Sequence, residues 1–237
     1  GARYSAIGEE VIGAIDLANS LAAIKKLVFE EGRITMKQLK DALAADFEGD
    51  GYSEIQRMCL GAPKFGNDDD YVDLIAREQY DLAYNAIIKT PILFDQPPLP
   101  YAFSLTTHFH LGALTGALPS GKKSRVALTD ASVSAMPGTD KNGPTALVLS
   151  AVKAVDTIKY GQNHFNLKFH PSALEGKEGI EKFLALIKTY MDLGGSHIQF
   201  NCLSSKDLKE AQVHPEEHRD LVVRVAGFSA FFVNLDK

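Results

Sequence analysis

Cysteine is scarce in this chain: two residues among 237, Cys59 and Cys202, far apart and without metal-type spacing. That excludes a disulfide scaffold and a cysteine-based zinc site, and it suits a reducing compartment, with the cytoplasm as the expected location. Long apolar runs are missing as well. No stretch approaches the ~20 residues that a bilayer-spanning helix needs, and no basic, apolar, small-residue leader opens the chain. Neither a membrane nor secretion is therefore expected. There is no surplus of basic charge: 25 Lys and Arg stand against 30 Asp and Glu, a net charge of −5, which argues against nucleic acid as a main partner. Repeats and low-complexity tracts are absent. What is present is ordinary globular composition, 45% hydrophobic and 23% charged, at a length suited to one large domain or two small ones. The chain opens at Gly1-Ala-Arg-Tyr-Ser and stops at Asn234-Leu-Asp-Lys237; both ends are expected to be cuts in a longer protein.

Strand and helix signals alternate. Ile7-Gly-Glu-Glu-Val-Ile12 reads as a strand, and Asp16 as the cap of a helix carrying Leu17, Leu21, Ile24 and Val28 up to Gly32. Thr35 and Gln38 form a capping box before Leu39 and Leu43. Ser53 is expected to cap a third helix through Met58 and Cys59. A loop over Pro63–Asp70 leads into a long helix (Val72, Ile75, Tyr80, Ala83, Ile87) ended by Pro91, and Pro97, Pro98 and Pro100 mark an extended linker. The spacing then predicts a strand over Tyr101–Leu114, a turn at Pro119-Ser-Gly121 and an extended run to Met136-Pro137-Gly138. A helix begins at Pro144, a buried strand covers Asn163–His170, and Ile180, Phe183, Leu184, Ile187 and Met191 form an amphipathic stripe up to Gly194. A strand over His197–Leu203 and a short helix capped by Ser204 or Ser205 precede the final apolar run. The alternation predicts an α/β fold.

Several patterns resemble sites and are weaker than they look. Gly116-Ala-Leu-Pro-Ser-Gly121-Lys122-Lys123 nearly spells a phosphate-binding loop, but Lys123 stands where Ser or Thr should hold magnesium, and Pro119 removes a cradle amide. A turn is the better reading. Asn67-Asp-Asp-Asp70 with Asp73 lacks the alternating ligands and distal glutamate of a calcium loop; acidic residues at a helix start explain it. His108 and His110 fall on one face of the predicted strand with no third ligand signalled, which favours core or pocket-wall histidines over a metal; His108 stays a candidate substrate contact. Glu9 and Glu10 interrupt an apolar strand, where a buried carboxylate is either half of an ion pair or a substrate ligand or general acid. Cys202, on a predicted strand, is expected to be a buried small apolar residue.

The most particular stretch is Leu221-Val-Val-Arg224-Val-Ala-Gly227-Phe228-Ser229-Ala230-Phe-Phe-Val233. As polymer physics it is a strand, a tight turn at Gly227 and a second strand. Its wording resembles the R-V-x-G-[YF]-S-A fingerprint of the glycyl radical enzymes. The likeness continues upstream in order: Asp16-Leu-Ala-Asn-Ser-Leu-Ala-Ala-Ile-Lys-Lys, Pro63-Lys-Phe-Gly-Asn-Asp-Asp-Asp-Tyr-Val-Asp73, Gly116–Gly121, Gly138-Thr-Asp-Lys-Asn-Gly-Pro-Thr145, Lys168-Phe-His-Pro171, Gly195-Ser-His-Ile-Gln-Phe-Asn201 and His218-Arg-Asp-Leu221. The Gly-Phe-Ser-Ala wording resembles the dehydratase, decarboxylase and fumarate-adding branches rather than the formate lyase branch.

The resemblance implies the second half of a ten-stranded α/β barrel over residues 1–195, with surrounding helices, and a glycyl radical segment, cut short, over 196–237. It implies a radical stored on Gly227, shielded by Val223, Val225, Phe228, Phe231 and Phe232 and installed by a radical-SAM activating enzyme with an iron–sulfur cluster. No metal is implied in this chain. The family's working cysteine sits upstream in a finger loop without counterpart here, so it would come from the remainder of the barrel, whether in a longer chain or in a split enzyme. The implied partners are that activase, the remaining barrel, a small-molecule substrate and further copies in a homo-oligomer. The implied activity is an anaerobic radical lyase. Glu9 or Glu10, and Asp130-Ala-Ser-Val-Ser-Ala-Met-Pro137 in place of D-G-x-S-P, lean towards an arylacetate-type decarboxylase or a fumarate-adding synthase and away from a diol or hydroxyproline-type dehydratase. A non-catalytic spare part that replaces a damaged radical segment is the reading from another class; it is disfavoured because the likeness runs far upstream.

Overall fold

A computed structural model describes residues 7–90, 98–225 and 228–235. Pro91 and Pro97, expected to end a helix and open a linker, and Gly227 itself lie outside the described residues.

Four short strands run parallel. β1 (Gly8–Glu10) pairs with β2 (Leu99–Tyr101), Glu10 opposite Tyr101, and β3 (Asn166–Phe169) pairs with β4 (Gln199–Cys202), Asn166 opposite Gln199. A bridge between Ala102 and Asn163 joins the two pairs: Ala102 N–H donates to the Gln162 carbonyl at 2.9 Å and His164 N–H to that of Ala102 at 2.8 Å. The order is thus β1-β2-β3-β4. Parallel strands need crossovers, and helices supply them. Between β1 and β2 lie α1 (Ala14–Ile24), continued by π-helical turns to Glu30, then α2 (Met36–Ala44), α3 (Tyr52–Gly61) and α4 (Asp70–Ile87). Between β2 and β3 lie α5 (Thr107–Leu114) and α6 (Gly143–Ala154); α7 (Gly176–Asp192) joins β3 to β4. After α8 (Ser205–Val213), β5 (Val222–Arg224) and β6 (Ser229–Phe231) form an antiparallel hairpin.

Side chains alternate across a strand, and this sorts the sheet into two faces. Ala102, Phe165 and Leu167 are buried in the main core with Ile15, Val72, Tyr80, Val148 and Tyr190, and Val11, Ile198 and Phe200 pack against it. The opposite face carries Glu10, Tyr101, Phe103, His164, Asn166, His197, Gln199 and Asn201, polar in the main, as suits the inner wall of a barrel. A second core forms where the end of α1 meets α2 and α3, around Leu27, Leu39, Phe47 and Cys59.

Local signals held where they were local. Thr35 and Gln38 make the expected reciprocal cap, Gln38 N–H donating to Thr35 Oγ1 at 3.1 Å and Thr35 N–H to Gln38 Oε1 at 2.8 Å. Ser204 Oγ accepts from Asp207 N–H at 3.0 Å at the start of α8. Four expectations need correction. The Tyr101–Leu114 strand ends at Tyr101, and residues from Thr107 onward form α5, so His108 and His110 do not share a strand face: His108 is buried and His110 exposed. Helix α5 is fixed by tertiary contact, with Gly112 laid flat on the backbone of Val126–Leu128. Asp16 does not cap α1. Gly13, in the left-handed region at φ 80°, turns the chain into the helix, and Asp16 is buried in its first turn. Likewise Gly51 precedes α3, and Ser53 lies inside it. Cys202, expected to be buried, is exposed at the end of β4.

The two rejected motifs have structural uses. Lys122, at the position of a phosphate-loop lysine, is buried, donates to Asp16 Oδ1 and reaches the Ala127 carbonyl at 2.9 Å. Lys153 pairs with three carboxylates of the acidic run: its Nζ lies 2.6 Å from both Asp68 and Asp70 and 3.5 Å from Asp73. No helix among the described residues is long and apolar enough to cross a membrane.

Candidate active site: the glycine hairpin on the inner sheet face

The hairpin is closed at both ends of its ladder. Val225 N–H donates to the Phe228 carbonyl at 2.9 Å, and Phe232 N–H to that of Leu221 at 2.8 Å. Between Val225 and Phe228 the sequence has only Ala226 and Gly227.

Strand β4 holds this hairpin through side chains. Asn201 Oδ1 accepts from Arg224 N–H at 2.8 Å, and Asn201 Nδ2 donates to the Arg224 carbonyl at 2.7 Å, so one amide satisfies both backbone groups of one residue. The Arg224 side chain folds back over the same strand, with Nε donating to Gln199 Oε1 and Nη1 reaching Ser229 Oγ on the other arm at 3.4 Å. Among the described residues no carboxylate pairs with Arg224. Of the side chains expected to shield the glycine, Val223 is buried, Val225 and Phe232 are half-buried, and Phe228 and Phe231 are exposed in this chain.

Two histidines stand beside the hairpin on the same sheet face. The rings of His164 and His197 stack at 4.4 Å and 18°, and Phe103 meets His164 edge-on at 3.9 Å. His164 also lies 3.1 Å from Gln162 Nε2. Burial, then the neighbouring His197 and Arg224, push His164 down to about 4; burial and Arg224 lower His197 as well. Both rings are thus neutral near pH 7, and a neutral imidazole can accept one hydrogen bond and donate another.

The candidates named from sequence occupy separate places. Glu9 and Glu10 are exposed on β1, and among the described residues neither carboxylate makes a hydrogen bond or ion pair. His108 is buried on α5, with Nδ1 3.0 Å from the Leu105 carbonyl and Nε2 3.9 Å from Asp130 Oδ1. Burial lowers its pKa, and Asp130 opposes that shift. Asp130 in turn accepts from Asn166 Nδ2 on the inner face of β3 at 2.9 Å, which ties His108 indirectly to the inner wall. No hydrogen bond or ion pair joins His108 to Glu9 or Glu10 among the described residues. His164 was not singled out from the sequence, and His197, Gln199, Asn201 and Arg224 entered only as letters of the family blocks, with no site role. The period-two pattern His197-x-Gln199-x-Asn201 was the signal that could have found three of them.

Two family models match, one described as "Pyruvate formate lyase-like" over residues 1–112 and one as "Glycine radical" over residues 129–233. The chain belongs to the glycyl radical enzyme family. It is 38% identical over 247 residues to indoleacetate decarboxylase of Tractidigestivibacter scatoligenes, covering 95% of this chain and 28% of that protein. It is 42% identical over 235 residues to isethionate sulfite-lyase of Bilophila wadsworthia (strain 3_1_6), covering 95% and 27%. Among solved structures it is similar to the B12-independent glycerol dehydratase of Clostridium butyricum, at a TM-score of 0.93 and 42% identity over 100% of this chain and 30% of that one. The parallel strands with their outer helices and C-terminal glycine hairpin are therefore part of a glycyl radical enzyme α/β barrel, and the chain spans less than a third of each of these relatives.

Proposed function

We propose that this chain is the radical-bearing C-terminal part of a glycyl radical lyase, with residues 1–195 as the second half-barrel, residues 196–237 as the radical segment, and Gly227 as the stored radical. The observation that carries the reading is the Arg224-Val-Ala-Gly227-Phe-Ser-Ala230 wording inside the glycine-radical match, with its described flanks, Arg224 and Ser229, paired in a hairpin bound to the inner sheet face. The chemistry requires glycine. A radical on Cα is delocalised between the amide nitrogen and the carbonyl, which demands a near-planar carbon, and a missing Cβ leaves room for a sulfur to approach.

In this reading a radical-SAM activase removes one hydrogen atom from Gly227 Cα. The upstream cysteine, in the part of the barrel beyond this chain, gives its S–H hydrogen to Gly227 and becomes a thiyl. The thiyl takes hydrogen from a small organic substrate, a bond beside the substrate radical breaks, and hydrogen returns from the cysteine. The inner face supplies a wall of neutral imidazoles and amides with the Arg224 cation among them. As substrate class we favour an arylacetate-type acid that loses CO2. In support, 38% identity links the chain to an indoleacetate decarboxylase, and Glu10 and the Asp130–His108 pair offer polar groups at or near the inner wall. Similar identity to a sulfite-lyase and a glycerol dehydratase leaves C–S or C–O cleavage as the competing reaction at the same site.

The deciding experiment is anaerobic EPR of the complete enzyme with its activase, SAM and reductant, beside Gly227→Ala. A doublet in the parent that is missing from the variant is expected. A properly activated parent without the doublet would overturn the proposal.

A further inference from the structure

Among the described residues, strands β4 and β5 share no regular ladder, and the polar ties between them run from Asn201 and Gln199 to Arg224. Asn201 imitates a strand partner, presenting one acceptor and one donor to the N–H and C=O of Arg224 at 2.8 and 2.7 Å. Such a two-point amide clasp fixes translation along the strand as well as separation, because sliding the hairpin by one residue would present the wrong backbone groups. The Arg224 side chain adds a third tie, to Gln199, and through Ser229 it links the two arms on either side of the tip. Arg224 and Ser229 are also register partners across the hairpin.

We propose that Asn201, assisted by Gln199, is a positioning residue for the radical: it sets the depth and register at which the hairpin arms that flank Gly227 in the sequence are held against the inner face of the sheet. This rests on Gly227 being the radical site. Storing a radical asks only that the glycine be ordered and shielded, whereas hydrogen transfer to a sulfur asks for approach within a fraction of an ångström, and misplacement by about 1 Å can lower a rate by ~100-fold. The clasp therefore matters for turnover more than for radical installation.

The test uses the complete enzyme with its activase and compares parent, Asn201→Ala and Gln199→Ala under anaerobic conditions. Asn201→Ala is expected to give a Gly227 doublet within about twofold of the parent's intensity per protomer, while kcat falls about 10–100-fold and KM stays within about twofold. Loss of doublet and turnover together would mean a merely structural role and would overturn the proposal, as would an unchanged kcat. Should Asn201→Ala fail to fold, Gln199→Ala decides: it leaves both backbone bonds in place, and a fall in kcat of about threefold or more with a full doublet supports the clasp, while parental kcat refutes it. A parent that never shows a doublet defeats the underlying radical assignment, a result distinct from all of these.

Discussion

Lys122 and Asp16, 106 residues apart in the chain, meet as a buried ion pair that pins the Leu118–Gly121 turn against the first turn of α1. The second Asp16 oxygen accepts from Thr129 N–H at 2.7 Å, so the same carboxylate also orders the segment leading to Asp130. Removing one partner would leave the other charge buried without compensation, a loss of ~3–5 kcal/mol. Lys122→Met in the intact enzyme is therefore expected to lower the thermal midpoint by several degrees. Lys122→Met combined with Asp16→Leu should recover part of that loss, because a buried ion pair replaced as a unit by apolar groups is often near neutral. A double variant no better than the single one would contradict the account.

Acid should loosen the inner face of the sheet. His164 is pushed down to about 4 in the folded chain, chiefly by burial and further by His197 and Arg224. An unfolded histidine takes its proton near 6.5. Between those values the unfolded state binds the proton and the folded state does not, so the contribution is complete above about pH 6.5 and is lost as the pH falls towards 4. Its full size is about 3 kcal/mol. In thermal melts from pH 7 to 4.5, His164→Gln is expected to show a shallower fall in midpoint than the parent. His197, lowered for related reasons, keeps some slope in the variant. Equal slopes would show that His164 does not titrate as its surroundings dictate.

How much of this was legible depended on how far apart the deciding residues lie. The Thr35–Gln38 box and the Ser204 cap are contained within four residues, and both were readable. The strand expected over Tyr101–Leu114 failed because Phe, His, Thr and Leu there suit a strand on propensity, while the contact between Gly112 and Val126–Leu128 decides for a helix. Asp16 looked like a cap because Asp favours helix starts; its real partner, Lys122, is brought near only by the fold. The Arg224-Val-Ala-Gly227 wording located the hairpin and the family. Its clasp by Asn201 spans 23 residues and depends on two strands lying side by side, which no local pattern announces.

Produced alone, the 237-residue chain should associate. The described sheet leaves β1 as an open edge, and large apolar side chains lie exposed on several elements: Phe29, Phe109 at 55%, Leu114 at 86%, and Ile180 and Leu184 on α7. The chain spans less than a third of the relatives it matches, and in the proposed complete barrel such surfaces would meet the remaining polypeptide. Unpaired edges and contiguous apolar surface favour self-association. Light scattering of the purified fragment is expected to show concentration-dependent aggregates, relieved by co-expression with the upstream half. A stable monomer at tens of micromolar would argue that these faces need no cover.

Replacing Gly112 by alanine tests what makes α5 a helix. On an exposed helix Gly→Ala usually stabilises by about 1 kcal/mol. Here a Cβ on Gly112 would fall 2.5 Å from Ala127 Cα and 2.6 Å from the Val126 carbonyl oxygen, and backbone atoms cannot rotate away as a side chain could. The helix would have to lift, straining the bond from Leu128 N–H to the His108 carbonyl, now 3.1 Å, and moving His108 relative to Asp130. Gly112→Ala is therefore expected to destabilise by about 1–3 kcal/mol, the usual range for overpacking. Gly61, the last residue of α3, has open space where its Cβ would stand, and Gly61→Ala should be neutral or mildly stabilising in the same melts. If both substitutions stabilise, the close approach of α5 to the Val126–Leu128 backbone is not what holds that helix in place.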